Sequence, residues 1–307
     1  MKRGNWLKSA IVVPALIICF IAASNAGVVT IAGGRTVLSG WTPPSGQAVG
    51  HIDINEGALS SSTDQAARIL RVSENAADVG DGEFTVEWFI RLDSEAGGGN
   101  NDANTTTNSN CYVNCATNGN LIVDGDNFQG SGSGASWIIG YDLGVLYLGV
   151  RNAGGDRTQA GTSDNRTAAW RHQAVQFRAS DGLIEIFADG SEESEFDGPN
   201  GTVAFNSSST ANQDEYLYIG MEKLAAGGYG IDGDVSEFRI SNVRRYTGTT
   251  YTVPTEPFTS DSNTVVLYHF DENTGTSLND GSSSNIDGEL VGSPTPTWGT
   301  ADPFGGG

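Results

Sequence analysis

The sequence predicts an all-β protein built as an antiparallel β-sandwich, and three observations lead there. Short stretches rich in Val, Ile, Tyr, Phe and Trp recur along the chain, each bounded by Gly, Asn, Asp or Ser, with 42 glycines as punctuation. Runs of helix-forming residues are few. In Phe84-Thr85-Val86-Glu87-Trp88-Phe89-Ile90-Arg91-Leu92, the residues Phe84, Val86, Trp88, Ile90 and Leu92 share one face at period two, and Glu87 falls on the opposite, expected sheet-surface face. No repeat of fixed period suggests a solenoid or propeller.

Residues 1–26 read as a signal peptide. Lys2, Arg3 and Lys8 make a basic start, Ala10 to Ala23 is largely apolar, and Ser24-Asn25-Ala26 offers small residues for cleavage. A membrane anchor is the rival, disfavoured because the run falls short of the ~20 residues a span needs. A lipoprotein signal at Cys19 is a poor match beside Ile18 and Phe20. The expected location is therefore secreted, at the cell surface or in the periplasm, with no stable membrane insertion after cleavage. Residues 27–300 are expected to form one domain, because too few follow Asp271 to bury a second core. Residues 301–307 are left as a C-terminal tail.

Cleavage removes three of the 16 bases and none of the 37 acids, which takes the net charge from −21 to near −24. Nucleic acid and anionic membranes are excluded as partners, since both need clustered positive charge. Such an acidic surface suits a saline or calcium-rich setting, and it equally serves solubility.

The elements follow in order. Val28 to Leu38 and His51 to Ala58 read as early strands around Pro43-Pro44, and Ile69-Leu70-Arg71-Val72 as another. The polar stretch from Asp93 to Ala116 reads as a long loop carrying Cys111 and Cys115. In an exported chain this pair reads as a disulfide pinning the loop, with zinc a weak rival for want of a second Cys or His pair. Leu121-Ile122-Val123 is a strand, and Ser136 to Tyr141 with Val145 to Val150 form a hairpin about Asp142-Leu143-Gly144. Trp170 to Phe177 and Gly182 to Gly190 form another about Ser180-Asp181-Gly182. Leu217 to Gly220, Val235 to Ile240 and Val265 to Phe270 complete the set. Pro254 and Pro257 keep Tyr251 to Phe258 extended along an edge or outside the sheet. Trp88, Trp137, Trp170, Phe187 and Phe238, all in strand patterns, are the expected core aromatics.

The ordered motifs from Asp81 to Asp271 resemble the laminin-G-like domains of secreted bacterial proteins, in the concanavalin A-like lectin/glucanase superfamily. Phe84 to Arg91 is similar to that family's "d-F-T-i-E-f-W-v-r", with Trp88 and Phe89 exchanged. Trp170 to Gly190 resembles its "W-x-H-v-A-v", turn, "l-x-l-y-v-D-G", and Leu217 to Gly220 its "l-x-I-G". Gly233 to Tyr246 resembles "G-y-I-D-E-x-R-I-s-n-x-A-R-Y", with Ser236 where the family has Asp, and Val265 to Asp271 resembles "l-l-L-h-F-d". Asp271 to Trp298 resembles the segment that usually opens such domains, which implies a closing strand beside the N-terminal one or a permuted edge.

The resemblance implies a concanavalin A-like jelly roll acting as a non-catalytic recognition or adhesion module for extracellular carbohydrate, free or on a glycoprotein, with calcium assistance. Sugar contacts are expected from an exposed ring with amide or carboxylate neighbours: Tyr112 with Asn114, and Tyr229 with Asp232. Candidate calcium ligands are Asp124 with Asp126, and Asp232 with Asp234, and solvated turn acids are the favoured reading of each pair. Enzymes of the superfamily carry E-x-D-x-x-E on one strand, and the nearest match, His51-Ile52-Asp53-Ile54-Asn55-Glu56, begins with a histidine that cannot be the nucleophile. No G-x-S-x-G elbow exists, and His172 reads as a sheet histidine. A glycoside hydrolase and a structural surface or matrix protein without a sugar ligand remain the alternatives.

Overall fold

The computed structural model describes residues 31–32, 35–36, 50–55, 66–70, 79, 82–92, 120–125, 136–142, 144–152, 155–165, 167, 169–198, 200–203, 216–220, 231–292 and 295–304. The chain divides into two compact units, Met1–Gln47 and Ala48–Gly307. In that first unit β1 (Ile31–Ala32) and β2 (Arg35–Thr36) pair antiparallel. The expected signal peptide lies outside the described residues. Among the described residues no helix is long and apolar enough to cross a membrane.

The second unit is a two-sheet antiparallel sandwich. Numbered along the chain, its first sheet contains β3 (His51–Asn55), β5 (Glu83–Leu92), β10 (Arg171–Arg178), β11 (Leu183–Ala188), β12 (Ser191–Asp197), β14 (Asp232–Ser241), β15 (Thr264–Tyr268) and β18 (Thr297–Gly299). The order is β12-β11-β10-β5-β14-β3-β18, with β15 alongside the second half of β14. The second sheet contains β4 (Ala66–Leu70), β6 (Asn120–Gly125), β7 (Ser136–Asp142), β8 (Val145–Asn152), β9 (Gly155–Asp164), β13 (Tyr216–Ile219), β16 (Ser277–Leu278) and β17 (Gly288–Val291). Its order is β16-β17-β4-β13-β6-β7-β8-β9. Both expected hairpins form, as β7–β8 and β10–β11. The closing segment returns beside the early strands, with β17 on β4 and β18 on β3.

The alternating face of β5 packs into the core with Ile52, Val175, Phe177, Ile186, Val235 and Ile240 from its own sheet and Trp137, Ile139, Leu148 and Ile219 from the other. Each such side chain, fully buried, contributes about 1.5–3 kcal/mol. Phe84 joins the sheets directly, its ring centroid 5.2 Å from that of Trp137. At the centre of the first sheet, β14 carries a bulge between Ser236 and Arg239, where Glu237 takes φ 49°. The bulge shifts the alternation so that Phe238 and Ile240 enter the core and Glu237 and Arg239 face outward. Gly233 sits where a Cβ would collide with the carbonyl oxygen of Arg91, so β14 and β5 approach closely only because no side chain is present.

The outer face of the first sheet differs from expectation. Glu87, expected on a solvated surface, has no exposure at all. The segment after β14, expected at an edge or off the sheet, instead crosses this face. Tyr246 and Tyr251 pack on Phe187, and Phe258 packs on Phe89. Phe187 is thus buried between sheet and cover, not between the sheets. The expected tail also takes part: the ring of Phe304 stands edge-on to Phe89 at 4.9 Å, and Ala301 offers its carbonyl to His51.

Candidate functional site

One end of the sandwich gathers most of the candidate chemistry. The described chain leaves at Asn55, Leu92 and Gly220 and re-enters at Ala66, Asn120 and Ile231. These ends are neighbours: Asp232 pairs with Asn55, Gly233 with Leu92, and Ile219 with Ala67, while Ile231 donates to the Gly220 carbonyl at 2.9 Å. The stretches holding Tyr112, Asn114, Cys111 and Cys115, and Tyr229, therefore attach here. Those five residues and Asp126 lie outside the described residues, as does Glu56 of the enzyme-like match. Asp124 occupies β6, opposite Tyr218 and Ile138 in the second sheet, away from Asp232 and Asp234 in the first.

The outermost rows of the first sheet carry a described polar cluster. Because residues directly opposite share a face, the register aligns Arg91, Asp234, Asp53 and Thr297 across four strands. Asp232, two residues before Asp234, shares their face. Asp234 Oδ2 accepts from Arg91 Nε at 2.6 Å and lies 2.5 Å from Nη2, while Oδ1 is 3.1 Å from His51 Nε2. Burial alone would raise this carboxyl, but the His51 and Arg91 interactions outweigh it and hold it below the usual range. Trp170, which enters β10 beside Arg91, carries that guanidinium over its ring at 5.3 Å and stands edge-on to His51 at 5.5 Å. Arg91 keeps 32% of its side chain exposed, and Trp170 and Asp53 are half-buried.

An apolar plate rimmed by planar hydrogen-bonding groups suits recognition. A carboxylate held ionised by a guanidinium, as Asp234 is, makes a poor proton donor. Calcium fits the expected acids only in part, since both oxygens of Asp234 are engaged and a metal there would displace Arg91. Ser236, at the position where the resemblance has Asp, is fully buried and donates to the Gly50 carbonyl at 2.7 Å, which leaves it no ligand role.

Deeper on the same face the polar groups are covered. Glu87 is held by Arg239, Arg245 and Tyr246, and Glu185 by Arg244 and Gln176. His172 Nδ1 lies 2.6 Å from the Tyr251 hydroxyl, while Nε2, 3.4 Å from Glu87, is out of line for a hydrogen bond. Glu185, Glu192 and Glu195 bring carboxylate oxygens within 4.8 Å of one another, but Arg244 already occupies Glu185. Burial, then Glu195 and Glu185, push the Glu192 carboxyl up.

Sequence reasoning placed Trp170 in the core, weighed His51 and Asp53 only within the enzyme-like match, and missed Arg91. Parity along β10 carried the missing signal: Val175 and Phe177 point inward, so Trp170 and His172, an odd number of positions away, point outward.

The fold has a solved counterpart. A candidate carbohydrate-binding protein from Bacteroides ovatus ATCC 8483 is similar with a TM-score of 0.50 and 17% identity, over 83% of this chain and 60% of that one. At this identity the likeness concerns the fold, a concanavalin-like β-sandwich. The chain spans three-fifths of that protein's length. A heptameric SAP-like pentraxin from Limulus polyphemus is similar at TM-score 0.43 and 13% identity, over 65% of this chain and 79% of that one. Domains LG4-5 of the mouse laminin alpha1 chain are similar at TM-score 0.40 and 13% identity, over 70% and 47%. No protein-family model matches the chain, and neither does any curated protein.

Proposed function

We propose that this chain is an exported, non-catalytic module that recognises extracellular carbohydrate at the strand-end surface formed by Trp170, Arg91, Asp234 and Asp53, together with Tyr112, Asn114 and Tyr229 from the stretches attached there. One observation carries the reading: a half-buried indole in register with an ordered guanidinium–carboxylate pair, at the end where three long connections meet. Pyranose recognition calls for an apolar ring face together with fixed planar hydrogen-bonding groups, and this cluster supplies both. The fold shared with the Bacteroides ovatus protein agrees with the reading. On the covered part of that face, Glu87 is engaged by Arg239, Arg245 and Tyr246, and Glu185 by Arg244 and Gln176.

A glycan array, followed by titration calorimetry on the best ligand, tests the proposal. Trp170→Ala should weaken binding about tenfold or more, which corresponds to roughly 1.4 kcal/mol of lost ring contact. Asp53→Asn, which removes charge without opening a cavity, provides a second variant if the first is unstable. An array without binders, or binding unchanged in both variants, sinks the assignment. Homotypic assembly with no glycan bound would instead point to a structural surface or matrix protein.

Calcium forms a separable part of the reading and rests on Asp124 and Asp126, with Asp234 already engaged. Melting temperatures in chelator and in millimolar calcium should differ for the parent and agree for Asp124→Asn. Equal values for the parent would remove the metal.

A further inference from the structure

We infer that residues 300–304 form an autoinhibitory strap: they lie over apolar ground that continues from Trp170 across the outer face, and a ligand gains that ground only when the strap lifts. The inference rests on the recognition reading above and concerns how that surface is controlled.

β18 ends at Gly299, and among the described residues no strand pairing is made beyond it. Residues 301–304 nevertheless run onto the outer face of the first sheet, each of them half-buried. Two contacts hold them there. His51 Nδ1 lies 3.2 Å from the Ala301 carbonyl, and the Phe304 ring stands edge-on to Phe89 at 4.9 Å. Between these anchors the Phe304 N–H donates to Asp302 Oδ1 at 2.7 Å, a local turn closed by the strap's own side chain. At Gly299 a Cβ would fall 2.0 Å from His51 Nε2, so a side chain there would displace the imidazole that anchors the strap.

Both anchors are neighbours of the Trp170 surface. The same imidazole stands edge-on to the Trp170 ring at 5.5 Å and reaches Asp234 with Nε2. Phe89, Phe258 and Leu267 form one buried cluster, and Trp170, Val253 and Phe304 all pack against it. Phe304 therefore occupies apolar surface shared with the indole, where the ring face of a sugar would otherwise lie. A saccharide stacked on Trp170 and extending onto Phe89 meets Phe304 in its path, and the two exclude each other. Lifting the strap breaks no ladder hydrogen bond and leaves the cluster between the sheets intact, which places it among the less costly openings of the fold. Only the open fraction accepts such a ligand, so the apparent affinity is the intrinsic one reduced by that fraction.

The full chain is compared with Phe304→Ala, which removes the anchor, and Phe304→Leu, which keeps an apolar one. Should Phe304→Ala lose its cooperative thermal transition, Asp302→Ala, which opens the turn, takes its place. Fluorescence of anilinonaphthalene sulfonate reads the strap without any sugar and should be brighter with the alanine variant than with the parent. Calorimetry with β-glucan, xylan, mannan and galactan oligosaccharides should show the alanine variant binding about threefold or more tighter than the parent, with the leucine variant close to the parent. Binding by the alanine variant alone supports the strap most directly. Unchanged dye fluorescence, or sugar affinity that is unchanged or weaker in the alanine variant, overturns the strap and leaves glycan recognition standing wherever the parent binds. No sugar bound by parent or variant overturns the recognition reading itself.

Discussion

Glu87 and Arg239 meet across β5 and β14, with Nε and Nη2 of the guanidinium 2.8 and 2.7 Å from the same carboxylate oxygen, Oε1. The second oxygen accepts from the Tyr246 hydroxyl at 2.6 Å. Arg239 in turn donates to the Thr259 carbonyl at 3.1 Å and lies 4.4 Å over the Phe258 ring. The pair therefore fastens the covering segment to the sheet from beneath.

Removing one partner of a buried ion pair leaves an uncompensated charge. Glu87→Leu is accordingly expected to cost about 3–5 kcal/mol in urea unfolding, with Glu87→Gln costing less because the amide still accepts from Arg239. A loss below about 1 kcal/mol for the leucine variant would mean that the covering segment does not depend on this pair.

Glu87 also sets an acid limb. Burial alone would raise its carboxyl, but His172, Arg239 and Tyr246 outweigh this and hold it below the ordinary 4.5. A depressed folded value means that the contribution is present above 4.5 and lost as pH falls through the folded value. Unfolding free energy measured from pH 6 down to pH 2 should fall more steeply for the parent than for Glu87→Gln; parallel curves would contradict the assignment.

His269 should titrate in the opposite sense. Burial alone would lower its imidazole, yet hydrogen bonding to Glu237 and the charges of Glu237 and Asp271 raise it above 6.5. Glu237 is itself pushed up, because its desolvation outweighs the same contact. The direction that stands is that of the imidazole, whose Nδ1 lies 2.9 and 3.0 Å from the two carboxylate oxygens. Its stabilisation is complete below 6.5 and lost as pH rises through the raised value. The NMR midpoint of His269 should exceed 6.5 and drop in Glu237→Gln; a parent midpoint below 6.5 would rule the pairing out.

Inside the sandwich the Tyr141 hydroxyl donates to Gln173 Oε1, while Gln173 Nε2 finds no hydrogen-bond partner among the described residues. Tyr141→Phe and Gln173→Leu should each cost about 1–3 kcal/mol by orphaning the other group, and the double variant should lie within about 1 kcal/mol of the parent. Additive losses would show that the two groups do not act as a unit.

Ser236→Asp restores the residue of the resembled pattern and should nonetheless destabilise. It replaces a donor to the Gly50 carbonyl with a buried acceptor, at about 2 kcal/mol or more by thermal unfolding. A melting temperature equal to the parent would mean that the carboxylate finds another partner.

Much of the strand inventory was legible because it is written locally. Phe84 to Leu92 became β5 on period alone, Asp142 to Gly144 and Ser180 to Gly182 turned their hairpins, and the segment after Asp271 closed beside the early strands. The candidate site was only partly legible. Asp232 and Asp234 were found as acids, but the cations facing Asp234 come from β3 and β5, roughly 140 to 180 positions earlier. No spacing rule links such positions.

By itself the chain determined which residues alternate, where strands stop and which face of β5 is apolar, since these follow from side-chain direction and backbone freedom over a few residues. Only the tertiary structure decided that Glu87 is buried, that Trp170 sits on the outer face beside Arg91, and that Phe304 docks on Phe89. Burial of a face depends on what is laid against it. Here the cover comes from residues 242–258 and from 301–304, and their place over β5 is set by the ion pairs and ring contacts they make on arrival.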